Sequence, residues 1–356
     1  MSKLLKFIAW RSWGVIRYNS ILQNAMPLFY LALVYRQFSW AFLGKVGLFS
    51  LLSLVGTAYG YLVNDWADRE LDSKHGKLNV FTRVQPAVAM TVVGLTGGLS
   101  VAVSSFFWTC PGFLPTFAAW LSLATFYSLP PLRLKVRGEI GLAAAILAQQ
   151  TIPSLLLFAV FGQLRSWETL VFVLYITCRG TTSDVSHQVR DWVNDIHTST
   201  QTVAVRRGYK WITILYAWAL EAEKLMLGFV MVFLVLRIPV VDLPLLGCPF
   251  PPALPLPLFY LFLYVLTAGR AWGQVRQGAL VDPHDPRRQA TTRDAYQIIH
   301  HSLPSVGAPL YLCLWMTMIF WPNVIFIVVL GCIFKLWSPR LWNGTFRGWL
   351  KHQGFS

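Results

Sequence analysis

The chain has 356 residues, of which 55% are hydrophobic and only 13% are charged, with a formal net charge of +15. A soluble domain would carry about twice that charged fraction, so the composition excludes an ordinary soluble globular protein. The basic residues lie in short loops between apolar runs, which fits membrane topology and argues against a nucleic-acid partner.

Apolar blocks recur along the whole sequence. Their lengths are roughly 17–25 residues, which is what a helix needs to cross a lipid bilayer. An open sheet could not satisfy its backbone hydrogen bonds in lipid, so we predict an all-α polytopic membrane protein with about nine transmembrane helices. The predicted spans are 20–36, 42–63, 86–107, 112–129, 138–162, 167–186, 210–236, 254–272 and 305–335.

The predicted helical bundle, residues 20–336, has a basic segment at each end. Residues 1–19 combine basic and aromatic side chains, and we expect them to form an amphipathic helix on the membrane surface. Residues 337–356 form a basic C-terminal tail. An odd number of spans would place this tail opposite the other basic loops, so its side of the membrane is left open.

Loops that are rich in basic residues alternate with loops that are poor in them. Lysine and arginine are concentrated in the loops after the second, fourth, sixth and eighth spans, and the intervening loops contain few. Positively charged loops stay on the cytoplasmic side of a membrane. We therefore expect the N-terminus and these four loops at the cytoplasmic face.

A first acidic cluster begins where the second apolar span ends. In the sequence NDWADRELD, residues 64–72, the carboxylates of Asp65, Asp68 and Asp72 are spaced i, i+3 and i+7 and would share one helical face. Three carboxylates so close together repel one another unless a cation lies between them. The spacing therefore indicates a cation site.

A second acidic cluster ends the sixth span. Asp184, Gln188, Asp191 and Asp195 are spaced i, i+4, i+7 and i+11, which again makes one helical stripe. Carboxylate and amide oxygens suit Mg²⁺, and neither cluster contains the cysteine that would favour zinc. Ionisable groups near the hydrocarbon are costly and usually functional. Both clusters would lie at cytoplasmic helix ends, where they can line one cavity.

A basic segment lies between the two clusters in the sequence. In YSLPPLRLK, residues 127–135, two prolines end the fourth span, and Arg133 and Lys135 follow. Positive-inside charge is one explanation of these two cations. Beside two metal-binding clusters, they are better explained as ligands of a diphosphate.

Together these segments resemble the UbiA superfamily of intramembrane prenyltransferases, over about residues 10–335. Residues 64–72 resemble its first aspartate-rich motif, and residues 127–135 its Y-S-x-P-P-x-R-L-K segment. Residues 188–208 resemble its second motif and the segment after it. Gln188 stands where the family often has Asp, and Ser199 stands where Gly is usual.

The resemblance implies nine helices around a central cavity that opens to lipid. It implies that Mg²⁺ ions bridge the two motifs to an isoprenyl diphosphate. The implied metal ligands are Asp65, Asp68, Asp72, Asp184, Asp191 and Asp195. The implied diphosphate ligands are Asn64, Lys74, Lys77, Arg83, Arg133, Lys135, Arg137 and Gln188. Asp65, Asp68 and Asp191 would serve catalysis, and Tyr127 would lie near the bond that breaks.

Three functions remain open from the sequence. The first is transfer of the prenyl group to an acceptor, usually an aromatic ring. The second is a UbiA-type terpene cyclase, in which the substrate's own double bonds attack the carbocation. The third is a non-catalytic membrane transporter or ion-binding protein, against which the YSLPPLRLK segment argues. The metal and diphosphate ligands serve both enzymatic reactions, so the motifs do not separate those two.

Overall fold

The computed structural model describes residues 20–21, 23–76, 79–197, 200–243, 248–276 and 298–334. Contacts divide the chain into two compact units. Among the described residues, the first unit comprises 20, 21, 23 and 24 together with Lys45–Met226. The second comprises Ala25–Gly44, 227–276 and 298–334.

The described elements are helical apart from one short hairpin. In chain order the helices are α1 (Gln23–Val34), α2 (Trp40–Lys74), α3 (Pro86–Ser104), α4 (Phe113–Phe126), α5 (Glu139–Ile146), α6 (Ile152–Val160), α7 (Trp167–His197), α8 (Val203–Arg207), α9 (Tyr209–Arg237), α10 (Pro255–Arg276), α11 (Ala308–Ile319) and α12 (Val324–Phe334). Strands β1 (Val241–Leu243) and β2 (Cys248–Phe250) pair antiparallel. Every predicted span coincides with at least one helix, whereas the hairpin and α8 were not predicted.

Four described helical segments are long and apolar enough to cross a bilayer. They are Trp40–Lys74, Pro86–Phe107, Glu139–Val160 and Ile299–Ile319. Shorter apolar helices cover Phe113–Phe126, Pro255–Val265 and Trp321–Cys332. The prediction of an all-helical, multi-pass membrane fold is therefore confirmed.

Helices α2 and α7 continue well beyond their apolar runs. Helix α2 ends at Lys74 and is followed by Gly76, whose φ of +65° is a left-handed conformation that suits glycine. Helix α7 ends at His197. Both acidic clusters are therefore helical, as predicted, and the spacing of their carboxylates does place them in one stripe on each helix.

The predicted span 138–162 contains a π-helical turn, Leu147–Thr151, between α5 and α6. The cause is Pro153, because a proline ring clashes with the carbonyl four residues earlier and has no N–H to donate to it. That carbonyl belongs to Gln149, and the side-chain Nε2 of Gln23 donates to it at 2.9 Å. A polar side chain from the first helix thus replaces the missing backbone donor.

Helices α2 and α4 pack closely and in parallel within the first unit. A Cβ on Gly56 would lie 2.9 Å from the Trp120 ring, and a Cβ on Gly60 would lie 4.0 Å from Ala124. Each α4 partner comes 64 positions after its α2 residue, and the same offset links Asn64 to Ser128. The packing therefore aligns the acidic end of α2 with the end of α4.

In the second unit, the predicted span 305–335 is interrupted near Trp321-Pro322. Phe320 is extended, and a 3₁₀ turn, Trp321–Asn323, separates α11 from α12. The buried Asn323 donates from Nδ2 to the carbonyl of Met316 at 3.0 Å, and this carbonyl also accepts from the backbone N–H of Phe320.

Candidate active site

Asp68 is the centre of the α2 half of the site. Lys135 Nζ forms a salt bridge with its Oδ2, and Arg133 Nη2 lies 3.3 Å from its Oδ1. The Lys135 side chain is 12% exposed and that of Arg133 is 41% exposed. Both predicted diphosphate ligands therefore lie beside the first acidic cluster, and Lys135 is the more enclosed of the two.

Asn64, one turn before Asp68, contacts the same lysine. Its Oδ1 accepts from Ser128 Oγ at 2.8 Å and from Lys135 Nζ at 3.1 Å. Lys135 thus bridges two consecutive turns of α2. Ser128 orients the Asn64 amide, a role that the sequence did not indicate beyond its place in the YSLPPLRLK segment.

The loop that carries Lys135 is held by its own backbone. Lys135 N donates to the Tyr127 carbonyl at 3.0 Å, and Arg133 N donates to the Leu129 carbonyl at 2.9 Å. Arg133 has a φ of +39°, a left-handed conformation that is uncommon for a residue with a side chain. Such local strain is frequent where surrounding structure fixes a functional side chain.

Helix α5 approaches this loop through Gly141. A Cβ on Gly141 would lie 2.7 Å from the backbone oxygen of Leu134 and 3.0 Å from that of Lys135. The hydrogen at this position is what lets α5 support the turn Leu134–Val136 directly. The position of Lys135 therefore depends on glycine at position 141 of α5.

We expect Gly141→Ala to lower the melting temperature of the detergent-solubilised protein. The added methyl group meets backbone atoms that have no alternative rotamer, and such overpacking costs about 1–3 kcal/mol. Thermal unfolding followed by circular dichroism measures the change. Gly98→Ala on α3 is the matched control, because nothing lies within 4 Å of its Cβ position. That change should stabilise the helix by roughly 1 kcal/mol, and equal shifts in both variants would contradict the prediction.

The environment of Lys135 acts on its charge in two directions. Burial lowers the pKa of Lys135 from its usual value, and the Asp68 carboxylate raises it. The Asp68 carboxylate thus favours the ammonium form, whereas burial disfavours it. A diphosphate placed there would act in the same direction as Asp68 and favour the charged lysine.

The α7 half of the site is held against the short helix α8. Asp195 Oδ2 accepts from Thr202 Oγ1 at 3.1 Å, and Thr202 also caps the start of α8. Gln188 Oε1 accepts from the backbone N–H of Ala204 at 3.3 Å. Asp191, whose side chain is 43% exposed, lies 3.2 Å from His187 Nδ1. Gln188, predicted as a diphosphate ligand, therefore connects α7 to α8.

Tyr127 is the residue on which the two halves converge. Its phenol is an electrostatic neighbour of Asp184 and Asp195 on α7 and of Asp68 on α2. It follows directly after α4, at the start of the segment that carries Lys135. Carboxylates that are more than 100 residues apart in the sequence are therefore close enough to act electrostatically on one hydroxyl group.

Salt bridges also connect the start of α5 with α8, and so join the α2 half of the site to the α7 half. Glu139, the first residue of α5, pairs with Arg206 Nη1 at 3.2 Å and with Arg207 Nε at 2.6 Å. The backbone N–H of Gly138 donates to the carbonyl of Gln201 at 3.1 Å. Arg206 and Arg207, the last two residues of α8, thus hold this helix beside the loop that precedes α5.

The described residues contain no group of three or more His, Cys, Asp or Glu side chains arranged to hold a metal ion. Two of the carboxylates have other partners, because Asp68 pairs with Lys135 and Asp72 accepts from Asn79. The donor chemistry nevertheless fits a hard divalent cation, because carboxylate oxygens dominate both helix ends. In addition, Asp184 Oδ2 is buried and accepts no hydrogen bond within the described structure. Asp65, on the same helix as Asp68 and Asp72, is also buried.

The other predicted diphosphate ligands are less closely associated with the acidic residues. Lys74 and Arg83 are exposed. Arg137 is exposed and donates from Nη2 to the Pro131 carbonyl at 3.3 Å. Lys77 lies outside the described residues. Sequence reasoning missed Ser128, Asn79, Thr202 and Glu139 as partners of the site, because their contacts depend on the fold.

A family model described as the UbiA prenyltransferase family matches residues 25–292. The fold is similar to that of a UbiA homolog from Archaeoglobus fulgidus in two solved structures. The structure bound to DMAPP and Mg²⁺ has a TM-score of 0.52 and 13% identity, and covers 84% of this chain and 97% of that chain. The other has a TM-score of 0.53 and 12% identity, and covers 85% and 98%. No curated protein sequence matches the chain.

Proposed function

The chain belongs to the UbiA prenyltransferase family, and from this membership we propose that it ionises an isoprenyl diphosphate in a Mg²⁺-dependent reaction. The prenyl group then passes to an acceptor, which we propose is an aromatic ring. The observation that carries this proposal is the convergence of both acidic helix ends on Tyr127, with Lys135 against Asp68. An anion-binding cation and two sets of carboxylates at one place suit a metal–diphosphate substrate.

The proposed metal ligands are Asp65, Asp68 and Asp72 on α2, with Asp184, Asp191 and Asp195 on α7. Bound Mg²⁺ would neutralise negative charge that develops on the leaving diphosphate. Support comes from the archaeal homolog, whose structure holds DMAPP and Mg²⁺. The unbonded oxygen of Asp184 adds support from this chain, because a buried carboxylate oxygen without a donor suits a cation.

Lys135 and Arg133 would bind the diphosphate. Their charge-assisted hydrogen bonds are shorter and stronger than neutral ones, and Arg133 can use both of its terminal nitrogens. Asn64 would hold Lys135 in place through its Oδ1. The Tyr127 hydroxyl would lie close to the bond that breaks.

The reaction would begin when the allylic C–O bond breaks and the diphosphate keeps the electron pair. The resulting carbocation needs shelter from water, which the surrounding apolar helices would give. The acceptor's nucleophilic atom would then form the new bond to carbon and lose a proton. We propose that the site opens toward the cytoplasmic face. Arg133 and Lys135 lie in the loop after the fourth predicted span, which is one of the four loops rich in lysine and arginine.

Incubation of the purified protein with Mg²⁺ and C10 to C20 prenyl diphosphates tests this function. Mass spectrometry would follow products with and without a panel of aromatic acceptors. We expect diphosphate release and a prenylated product when the acceptor is present, and we expect EDTA to abolish both until Mg²⁺ is restored.

The same experiment separates the alternatives. A cyclic hydrocarbon or alcohol formed without an acceptor would replace the transferase proposal by a UbiA-type terpene cyclase. No diphosphate release from any donor, with or without acceptor, would overturn the enzymatic proposal and favour a transporter or ion-binding protein.

A further inference from the structure

The chain turns back against α2 after the first acidic cluster. Val80, Phe81 and Ala89 form a buried cluster there, packed against side chains of α2 and α3. Arg69 Nε donates to the carbonyl of Phe81 at 2.9 Å. This returning segment is therefore fixed to the helix that carries the first three proposed metal ligands.

Asn79, at the start of that segment, is 2% exposed and uses both ends of its amide. Its Nδ2 donates to Asp72 Oδ2 at 2.8 Å and to the backbone oxygen of Asp65 at 2.7 Å. Its Oδ1 accepts from the N–H of Phe81 at 2.9 Å. One side chain therefore links two turns of the acidic helix end and the returning segment.

We propose that Asn79 is a positioning residue for the metal site, acting through the carboxylate of Asp72. This inference rests on the proposed function. The bond engages one oxygen of Asp72, and the described residues donate no hydrogen bond to the other, Oδ1. Asn79 thus fixes the rotation of the carboxylate and leaves Oδ1 for a cation.

The amide is well suited to this task because it is neutral. A lysine or arginine in its place would fix the carboxylate equally well, but its positive charge would oppose a divalent cation. An aspartate would add a repelling carboxylate and could not donate in its ionised form. Residues that orient a metal ligand through a hydrogen bond commonly affect metal affinity nearly as strongly as the ligands do.

The competing explanation is that Asn79 only anchors the returning segment. Thr82 provides a matched control, because its Oγ1 donates to the backbone oxygen of Asn79 at 3.1 Å rather than to a carboxylate of the cluster. Thr82→Val removes that bond with little change in shape. A purely structural role would make Asn79→Ala and Thr82→Val differ only in thermal stability.

Metal affinity of the full-length protein tests the proposal directly. Mn²⁺ would be titrated into the purified wild type and each variant, with free Mn²⁺ read by electron paramagnetic resonance. We expect Asn79→Ala to weaken Mn²⁺ binding by about 10–100-fold, as for other partners of metal ligands. Thr82→Val should bind as the wild type does. The Mg²⁺ concentration for half-maximal diphosphate release should shift in parallel.

A double variant makes the test independent of folding defects. If Asn79 acts through Asp72, Asp72→Asn/Asn79→Ala should bind Mn²⁺ no more weakly than Asp72→Asn alone. The positioning role would be overturned if the losses of Mn²⁺ affinity in Asp72→Asn and Asn79→Ala added up in the double variant. It would also be overturned if Asn79→Ala and Thr82→Val lost the same Mn²⁺ affinity. An active wild type with unchanged metal dependence in Asn79→Ala would overturn this inference alone. A wild type that binds Mn²⁺ but releases no diphosphate from any donor would instead overturn the proposed function.

Discussion

Asp68→Asn should lower Mg²⁺-dependent diphosphate release by about 10²–10³-fold, the loss typical of one electrostatic stabiliser in an active site. Asp68 is a proposed metal ligand and is also in contact with both Lys135 and Arg133. The substitution keeps the side chain's shape and removes its charge. It therefore weakens the cation site and also leaves the enclosed lysine without its carboxylate.

Single-turnover release of diphosphate from a radiolabelled prenyl donor measures this effect without interference from product release. Glu70→Gln is the matched control, since Glu70 is an exposed carboxylate on the same helix and the change in net charge is identical. We expect it to retain wild-type rates. Retained activity in Asp68→Asn, or equal losses in both variants, would mean that the metal ions bind elsewhere.

Lys135→Met should lower kcat/KM for the prenyl diphosphate by about 100-fold and Arg133→Met by about 10-fold, the range expected for loss of one charge-assisted hydrogen bond. We expect the larger loss for Lys135→Met because the Lys135 side chain is 12% exposed, whereas that of Arg133 is 41% exposed. Solvent screens the more exposed cation, so its contribution to binding is smaller.

Steady-state kinetics over a range of donor concentrations measure both variants. The control is Lys210→Met, because Lys210 is an exposed cation at the start of α9 and its loss changes the net charge equally. Melting temperatures identify any loss that arises from unfolding. A larger effect for Arg133 than for Lys135 would show that the diphosphate binds nearer the exposed side of the loop.

Local spacing was sufficient to predict the acidic stripes. Asp65, Asp68 and Asp72 lie on one helix, so their relation follows from helical periodicity once α2 extends past its apolar run. The same holds for Asp184, Asp191 and Asp195 on α7. The prediction that Arg133 and Lys135 would lie near an acidic helix end came from a motif, and the structure agrees.

Contacts that depend on tertiary packing could not be predicted in this way. The sequence did not predict that the side-chain oxygen of Gln188 accepts from the backbone N–H of Ala204, a contact that forms because α8 folds back beside α7. The role of Gln188 in diphosphate binding stays a prediction. Asn79 follows two residues outside the described structure and has no motif to mark it. The contact between Asn64 and Ser128 depends on the parallel packing of α2 with α4 through two glycines.

The bond between Gln23 and the carbonyl freed by Pro153 has a consequence for biosynthesis. Gln23 donates to an acceptor 126 positions later in the chain, and its neighbour Asn24 accepts from Ser154, 130 positions later. At about 5–20 residues per second, those partners are synthesised roughly 6–25 seconds after the first helix. Amides are costly to leave unsatisfied in lipid. The start of the first helix therefore needs water, the translocon or a chaperone as a temporary partner until the fifth segment is inserted.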